Sequence, residues 1–210
     1  MISVVITAGG TSSRFKGENK LLFKINDEEV IKKTVNTFLE IEGIKEIIIS
    51  ANKEIIPILQ NLFSNKKIII IEGGQTRQQS VFNGLKACNN CEYVLIHDGA
   101  RPFIDKETIK KTIQCVKEKK ACIVAVKTID TIKIVNEEGV IISTPERKTL
   151  WNAQTPQAFD YKLILNLHKK YNNKNFTDDA LLCEEDNIPV SIVEGKYENI
   201  KITTLADIKL

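Results

Sequence analysis

Short apolar segments alternate with amphipathic ones along the first part of the chain. The apolar segments are rich in β-branched residues and predict strands at residues 2–7, 46–51, 67–72, 93–97 and 122–127. Between them, apolar positions recur with the helical period and predict helices at residues 28–41, 53–63, 78–88 and 105–119. Regular alternation of this kind predicts an α/β fold that is Rossmann-like and three-layered, with a mostly parallel sheet covered by helices on both faces.

The pattern changes after residue 127. Two apolar segments, 131–135 and 140–144, flank a turn that contains Gly139, and this arrangement predicts a β-hairpin. A hairpin that projects from a domain cannot bury both of its faces alone. We therefore expect residues 128–150 to form a projecting arm that packs on a second subunit, in a homodimer. The alternative is a hairpin that folds back on its own sheet.

The last part of the chain returns to helix and strand. We predict helices at residues 160–171 and 178–187, a strand at 189–194, and a final segment at 199–203 that returns to the sheet. A chain of 210 residues is long enough for one sizeable core and too short for two full domains. We therefore expect a single domain over residues 1–210, with the arm as its appendage.

Charge and composition exclude several classes of function. The formal net charge is +3, which is too small a basic excess for a general nucleic-acid binder. No apolar segment approaches the roughly 18 residues of a membrane span, and the first strand begins without the basic segment of a signal peptide. The odd number of cysteines, five, predicts reduced thiols. We expect a cytoplasmic protein that binds neither nucleic acid nor membrane.

A glycine-containing loop follows the first predicted strand. Gly9 and Gly10 allow the backbone to approach a ligand closely, and successive amide groups there can bind an anion. Arg14 and Lys20 add positive charge suited to a triphosphate. The loop matches neither the P-loop nor the dinucleotide-binding pattern. On its own, the glycine pair is also typical of a tight turn between strand and helix.

A second such loop follows the predicted strand 67–72. Gly73 and Gly74 again permit a close backbone approach, while Gln75 and Ser80 offer polar groups that can read the edge of a base. In the purely structural interpretation the glycines form a turn and Thr76 is the N-cap of the next helix. The two interpretations are compatible.

An aspartate follows the predicted strand 93–97. Asp98 is suited to Mg²⁺, which binds through one or two carboxylates together with substrate phosphates, and Arg101 is suited to a phosphate. In the alternative interpretation Asp98 and Arg101 form a structural ion pair. We expect His97 to be a hydrogen-bonded structural residue rather than a catalyst. Because the carboxyl ends of parallel strands face one crevice, these loops together indicate a site for a nucleoside triphosphate and its metal ion.

The second half of the chain contributes further polar residues. Candidates are Thr131, Arg147, residues 154–159, residues 177–180 and Lys201. Hydroxyl groups together with an arginine suit a phosphomonoester, and a late lysine can return to the triphosphate. Thr177 can also cap the helix that follows it, so this threonine by itself indicates little.

In their order along the chain, these motifs resemble those of the 2-C-methyl-D-erythritol 4-phosphate cytidylyltransferases of the non-mevalonate isoprenoid pathway. The matching positions are the first loop with Arg14 and Lys20, Gly73–Gly74 with Arg77 and residues 80–81, residues 97–102, residues 130–131, residues 154–157, residues 177–180 and residues 199–203. Each motif is modest evidence, but the ordered set covers nearly the whole chain and is specific. The resemblance implies the nucleotidyltransferase form of the α/β fold.

The resemblance also implies a reaction. The phosphate of methylerythritol phosphate attacks the α-phosphorus of CTP, and pyrophosphate leaves. This phosphate is already ionised near neutral pH, so no general base is required and catalysis rests on positioning and charge stabilisation. By the same resemblance Arg14, Lys20 and Lys201 are the catalytic cations, and Mg²⁺ or another divalent cation bridges the phosphates beside Asp98.

The binding residues are likewise implied by the resemblance. The nucleotide-binding residues are Thr7, Ala8, Gly9, Gly10, Gly74, Gln75, Ser80, Asp98 and Gly99. The residues that bind methylerythritol phosphate are Arg101, Thr131, Arg147, Thr155 and Thr177. In the family the arm is exchanged between subunits, so Thr131 and Arg147 would act on the substrate of the neighbouring subunit.

Two alternatives remain. One is a cytidylyltransferase for another polyol phosphate, such as ribitol 5-phosphate, which would share the CTP half of the site. The other is a non-catalytic nucleotide-binding module, because the first loop departs from the family pattern: Thr11 stands near the second glycine, and one residue is added. The second alternative is disfavoured because the chain retains all four of Lys20, Asp98, Arg147 and Lys201.

Overall fold

A seven-stranded sheet forms the centre of the molecule. The computed structural model describes residues 1–10 and 19–208. The sheet consists of β1 (Ile2–Ala8), β4 (Ile44–Ala51), β5 (Ile68–Glu72), β6 (Tyr93–Asp98), β7 (Ala121–Lys127), β10 (Trp151–Asp160) and β11 (Ser191–Glu194). Their order across the sheet is β11-β7-β10-β6-β1-β4-β5. Every neighbouring pair is parallel except the two that involve β10. The predicted α/β class with a mostly parallel sheet is confirmed.

Helices cover both faces of this sheet. They are α1 (Val30–Leu39), α2 (Ile56–Leu62), α3 (Arg77–Ala87), α4 (Lys106–Lys119), α5 (Tyr161–Lys170) and α6 (Ala180–Glu185). Successive strand residues point to opposite faces, so Val4 lies in the apolar cluster with α1, α2 and α4, whereas Val5 lies in the cluster with α3, α5 and α6. Among the described residues, no helix has both the length and the apolar character that a membrane span requires.

Helix boundaries differ from prediction by a few residues. The predicted helix 28–41 starts late because Glu28–Glu29 is a short strand, β3, paired with β2 (Lys24–Ile25). The predicted helix 53–63 divides into a 3₁₀ turn at Lys53–Ile55 and then α2, which carries a proline in its first turn. The predicted helix 178–187 is shorter, as α6, and its N-cap is Asp179 rather than Thr177.

Two features of the sheet differ from the prediction. Strand β10 lies at the centre, between β6 and β7, but its sequence predicts no strand. It carries Pro156 and several polar residues, and its pairing with β7 shifts between Ala153 and Gln157. This irregularity accommodates a residue that lacks an amide donor. Residues 199–203 do not form a strand, although the amide of Ile202 donates to the carbonyl of Ala100, 2.8 Å away.

The predicted hairpin is present as a separate two-stranded sheet. Strands β8 (Ile134–Val135) and β9 (Ile141–Ser143) pair with each other and do not join the seven-stranded sheet. Its apolar side chains are exposed, with Ile142 at 65% and Ile141 at 58%. The hairpin therefore does not fold back on its own sheet.

Candidate active site

The carboxyl ends of β1 and β6 form one wall of a cavity of about 280 Å³. Thr7 and Asp98 are paired residues of these adjacent parallel strands, and the Thr7 hydroxyl lies 3.5 Å from Oδ1 of Asp98. Most of the predicted nucleotide-binding and catalytic residues line this cavity: Thr7, Gly9, Gly10, Lys20, Gln75, Ser80, Asp98, Gly99 and Lys201. The sheet topology thus brings together loops that are far apart in sequence, as expected for an open α/β sheet.

A second cavity of about 150 Å³ adjoins the first. Its lining includes three of the residues predicted for methylerythritol phosphate, namely Arg101, Thr155 and Thr177. Arg77, Asp98 and Lys201 line both cavities. A molecule in the first cavity and one in the second would therefore meet at Asp98.

Three cations surround the carboxylate of Asp98. Lys201 Nζ lies 2.9 Å from its Oδ2, Arg101 Nε lies 3.5 Å from the same oxygen, and Arg77 Nε lies 3.4 Å from Oδ1. Burial alone would raise the pKa of Asp98, but attraction by Arg77, Lys201 and Arg101 outweighs it and holds the pKa well below its usual range. Asp98 is therefore ionised in a strongly positive environment that suits phosphate groups.

The loop between β5 and α3 is fixed by its own hydrogen bonds. Thr76 is the N-cap of α3, as predicted, and its hydroxyl oxygen accepts from the amide of Gln79. The Ser80 hydroxyl accepts from the amide of Gly74 and donates to the carbonyl of Thr76. A side chain at Gly74 would place its Cβ 2.2 Å from Cβ of Gln79, so this tight turn needs glycine.

His97 supports the backbone of Asp98 rather than facing a cavity. Burial lowers its pKa to about 4, so the ring is neutral. The carbonyl of Arg101 lies 3.2 Å from Nε2 and can only accept, so Nε2 carries the proton. Nδ1 then accepts from the Thr155 hydroxyl at 3.0 Å, and that oxygen accepts from the amide of Asp98 at 3.1 Å. His97 has no free nitrogen for catalysis, in agreement with the sequence-based expectation.

The donor set at this site fits a magnesium ion held jointly with phosphate groups. Among the described residues, no group of three or more His, Cys, Asp or Glu side chains could hold a metal by itself. Asp98 supplies a single ionised carboxylate at the meeting point of the two cavities. Mg²⁺ commonly binds through one or two carboxylates and completes its coordination with substrate phosphates and water.

Comparisons with known proteins show which family the chain belongs to. The model of the 2-C-methyl-D-erythritol 4-phosphate cytidylyltransferase family matches residues 2–210. The chain belongs to this family. It is 43% identical to a relative of that name from Clostridioides difficile (strain 630), over 100% of this chain and 92% of the relative. It is 45% identical to a relative of the same name from Prochlorococcus marinus (strain MIT 9215), over 98% and 95% respectively.

A solved structure supports the same assignment. The crystal structure of 4-diphosphocytidyl-2C-methyl-D-erythritol synthase from Anaerococcus prevotii DSM 20548 superimposes with a TM-score of 0.90 and is 38% identical. The match covers 99% of this chain and 92% of that one. The fold of the family, including the central sheet, is therefore the fold of this chain.

Some residues predicted from the family pattern lie away from both cavities. Ala8 is the buried last residue of β1. Gly74 lines a neighbouring cavity and not the main one, whereas Gln75 lines both of these. Thr131 and Arg147 belong to the exposed arm and line neither cavity within this subunit; Arg147 instead donates to the carbonyl of Ile129. Arg14 lies outside the described residues. The roles assigned to all these residues remain predictions.

Two charged residues near the site, Arg77 and Asp179, were not among the predicted site residues. Arg77 lies in the motif at the start of α3, and its Nη1 lies 2.8 Å from Oδ2 of Asp179. Burial of Arg77 acts to lower its pKa, but Asp179 and Asp98 together raise the pKa above its usual range. Both residues were visible in the sequence motifs that indicate the family. Their pairing was not visible because they are separated by 102 positions.

Proposed function

We propose that this chain transfers the cytidylyl group of CTP to 2-C-methyl-D-erythritol 4-phosphate, and so forms 4-diphosphocytidyl-2-C-methyl-D-erythritol and pyrophosphate. Membership of the family supplies the reaction. The observation within the structure that supports it best is the position of Asp98, Lys201 and Arg77 where two cavities meet. One cavity suits a nucleotide and the other a smaller phosphate ester, so their junction is where a phosphoryl bond would form.

The chemistry requires charge stabilisation rather than proton transfer. A phosphate monoester is ionised near neutral pH and attacks the α-phosphorus in line, while the bond to pyrophosphate breaks. Lys20 and Lys201 line the nucleotide cavity and can offset the charge that develops on the α-phosphate and the leaving group. Arg14 is proposed as a third such cation on the strength of the family pattern. His97 is excluded as a base because both of its ring nitrogens have partners inside the protein.

The nucleotide is proposed to lie between the loop after β1 and the loop before α3. Gln75 and Ser80 line this end of the cavity, together with Gly9 and Gly10. Glycine at these positions leaves the backbone amides accessible to a base or a phosphate. Thr7 and Gly99 continue the wall toward Asp98, where the α-phosphate would lie.

We propose Mg²⁺ as the metal ion, with Asp98 as its protein ligand. When bound, the ion would neutralise charge on the triphosphate and orient it. Asp98 can serve because neighbouring cations keep it ionised and because it faces both cavities. The second cavity, with Arg101, Thr155 and Thr177, is proposed to hold methylerythritol phosphate.

We further propose a homodimer in which the arm, residues 128–150, packs on the neighbouring subunit and brings Thr131 and Arg147 to its substrate. Exposed isoleucines on β8 and β9 support this proposal, because a two-stranded sheet with exposed apolar side chains is poorly stable alone. Sedimentation of an Ile141→Asp variant should show monomer. The matched control is Ile58→Asp on α2, also exposed at 47%, which should leave the dimer intact.

The remaining expectations also stand as proposals. We propose that the chain is a single domain over residues 1–210 and that it works in the cytoplasm, without nucleic acid or membrane as a partner. The five cysteines are free thiols, as a reducing compartment would allow.

The deciding experiment is release of pyrophosphate from CTP. It should be measured with 2-C-methyl-D-erythritol 4-phosphate and with ribitol 5-phosphate in parallel, with Mg²⁺ and after its removal with a chelator. We expect pyrophosphate release with 2-C-methyl-D-erythritol 4-phosphate when Mg²⁺ is present, and none after Mg²⁺ is removed. Release with ribitol 5-phosphate alone would overturn the assignment of the second cavity. No release with either substrate from folded dimeric protein would favour a non-catalytic nucleotide-binding module.

A further inference from the structure

Arg77 lies between two carboxylates and is closer to one of them. Its Nη1 lies 2.8 Å from Oδ2 of Asp179, whereas its Nε lies 3.4 Å from Oδ1 of Asp98. A charge-assisted hydrogen bond is typically shorter than about 3 Å, so the pair with Asp179 is the strong one. The contact with Asp98 is at the limit of hydrogen bonding.

Asp179 is held in place on several sides. Its side chain is 1% exposed, and its Oδ1 lies 3.1 Å from Nε2 of His168, whose own side chain is fully buried. The ring of His168 stacks on Phe82 of α3, with ring planes 2° apart. The backbone amide of Asp179 donates to Oε1 of Gln157 at 3.0 Å. These contacts fix the position of the carboxylate and therefore the position of Arg77.

The two oxygens of Asp98 differ in their contacts. Oδ2 has a close ion pair with Lys201 at 2.9 Å. Oδ1 has the long contact with Arg77 at 3.4 Å and another with the Thr7 hydroxyl at 3.5 Å. Oδ1 is thus the oxygen with unused capacity to bind a further ligand.

We propose that Asp179, supported by His168, is a positioning residue that retains Arg77 and thereby leaves Oδ1 of Asp98 available to the divalent ion of the nucleotide complex. The inference rests on the proposed function, because it assigns the ion to Asp98. If Asp179 lost its charge, Asp98 would be the remaining carboxylate partner of Arg77 among the described residues. The guanidinium would then pair closely with Oδ1 and compete with the metal ion.

Metal binding tests this proposal directly. The dissociation constant of Mn²⁺ from the enzyme–CTP complex can be measured by electron paramagnetic resonance for wild type and for Asp179→Asn. We expect the variant to bind Mn²⁺ about tenfold more weakly, as is usual when a residue that supports a metal ligand is lost. Asp186→Asn is the matched control, because it removes the same charge at the C-cap of α6, where the half-buried carboxylate pairs with Lys170, and it should bind Mn²⁺ like wild type.

A double variant separates positioning from general damage. In Arg77→Gln/Asp179→Asn the competing guanidinium is absent, so Mn²⁺ affinity should return to within about threefold of wild type. This variant also removes both members of the buried ion pair, and it should fold even if the single variant does not. Weak Mn²⁺ binding by the folded double variant would overturn the proposal, as would wild-type binding by Asp179→Asn. Failure of wild type to release pyrophosphate would instead contradict the proposed function.

Discussion

Lys201 and Asp98 form an ion pair across 2.9 Å that joins the segment after β11 to the end of β6. The segment is secured two residues earlier by Asn199, whose side-chain amide donates to the carbonyl of Thr155 and whose carbonyl accepts from Arg101. These hydrogen bonds position a segment of irregular backbone beside β6 and β10. The side chain of Lys201 remains 39% exposed and lines both cavities.

Lys201→Ala should reduce kcat by a factor on the order of 10²–10³, since a positioned charge that stabilises the transition state is lost. The fold should persist because Asp98 keeps Arg77 and Arg101 as partners. Lys196→Ala is the matched control. Lys196 pairs with Asp105 on the surface, so its loss should change kcat by less than about twofold. Steady-state kinetics measure both, and near wild-type turnover in Lys201→Ala would contradict the mechanism.

The sequence predicted the parts of the site that depend on local patterns. Strand ends, glycine turns and the N-cap at Thr76 have local signatures, and the structure places them as expected. Strand β10 was missed because its sequence lacks alternation and contains Pro156, although it lies at the centre of the sheet. Its stability comes from pairing with β6 and β7 on both sides, which no local pattern reveals.

The electrostatic details of the site were also beyond the sequence. The pairing of Arg77 with Asp179 joins residues that are 102 positions apart. The hydrogen bond between Thr155 and Nδ1 of His97 joins residues that are 58 positions apart. The positions of Thr131 and Arg147 pose a different problem. Both residues belong to the arm, which in our proposal contacts the neighbouring subunit. The structure of one subunit therefore cannot show the site to which they contribute.

The stability of the substrate-free protein should fall between pH 6.5 and pH 4 because of His97. Burial lowers the folded-state pKa of His97 to about 4, while the ordinary pKa is 6.5. As the pH falls through this window, the unfolded chain takes up a proton that the folded protein does not, and the free energy of unfolding decreases. The full effect is about 3 kcal/mol.

Urea unfolding at several pH values measures this effect. His97→Gln is the informative control, because glutamine can accept from Thr155 and donate to the carbonyl of Arg101 but does not titrate. Its unfolding free energy should depend less steeply on pH in the same window. An identical pH dependence in the variant and in wild type would show that His97 is not the responsible group.

Close packing of α3 on β1 predicts a cost for a methyl group at Gly84. A Cβ there would lie 2.4 Å from Cγ1 of Val5, so helix and strand would have to move apart. Gly84→Ala should lower the free energy of unfolding by about 1–3 kcal/mol. Gly10→Ala is the matched substitution without a clash in the described part of the chain, where no atom lies within 4 Å of its Cβ, and it should stay within about 0.5 kcal/mol of wild type. Equal stabilities would contradict the close contact.

The proposed exchange of arms can be tested by mixing two inactive variants. Lys201→Ala removes a group that acts in its own subunit, because Lys201 pairs with Asp98 of the same chain. Arg147→Ala removes a group that we expect to act in the neighbouring subunit. In a hybrid dimer, the subunit that carries Arg147→Ala keeps Lys201 and receives an intact Arg147 from its neighbour, so one of the two sites is complete.

Unfolding and refolding a mixture of the two variants should therefore restore activity, whereas each variant refolded alone should stay inactive. Random pairing in an equal mixture makes about half of the dimers hybrid, and each hybrid has one complete site, so about a quarter of wild-type kcat is expected. If Arg147 acted within its own subunit, every site in the hybrid would lack one residue and no activity would return. Pyrophosphate release by the mixture thus distinguishes an arm that reaches across the dimer from one that serves its own subunit.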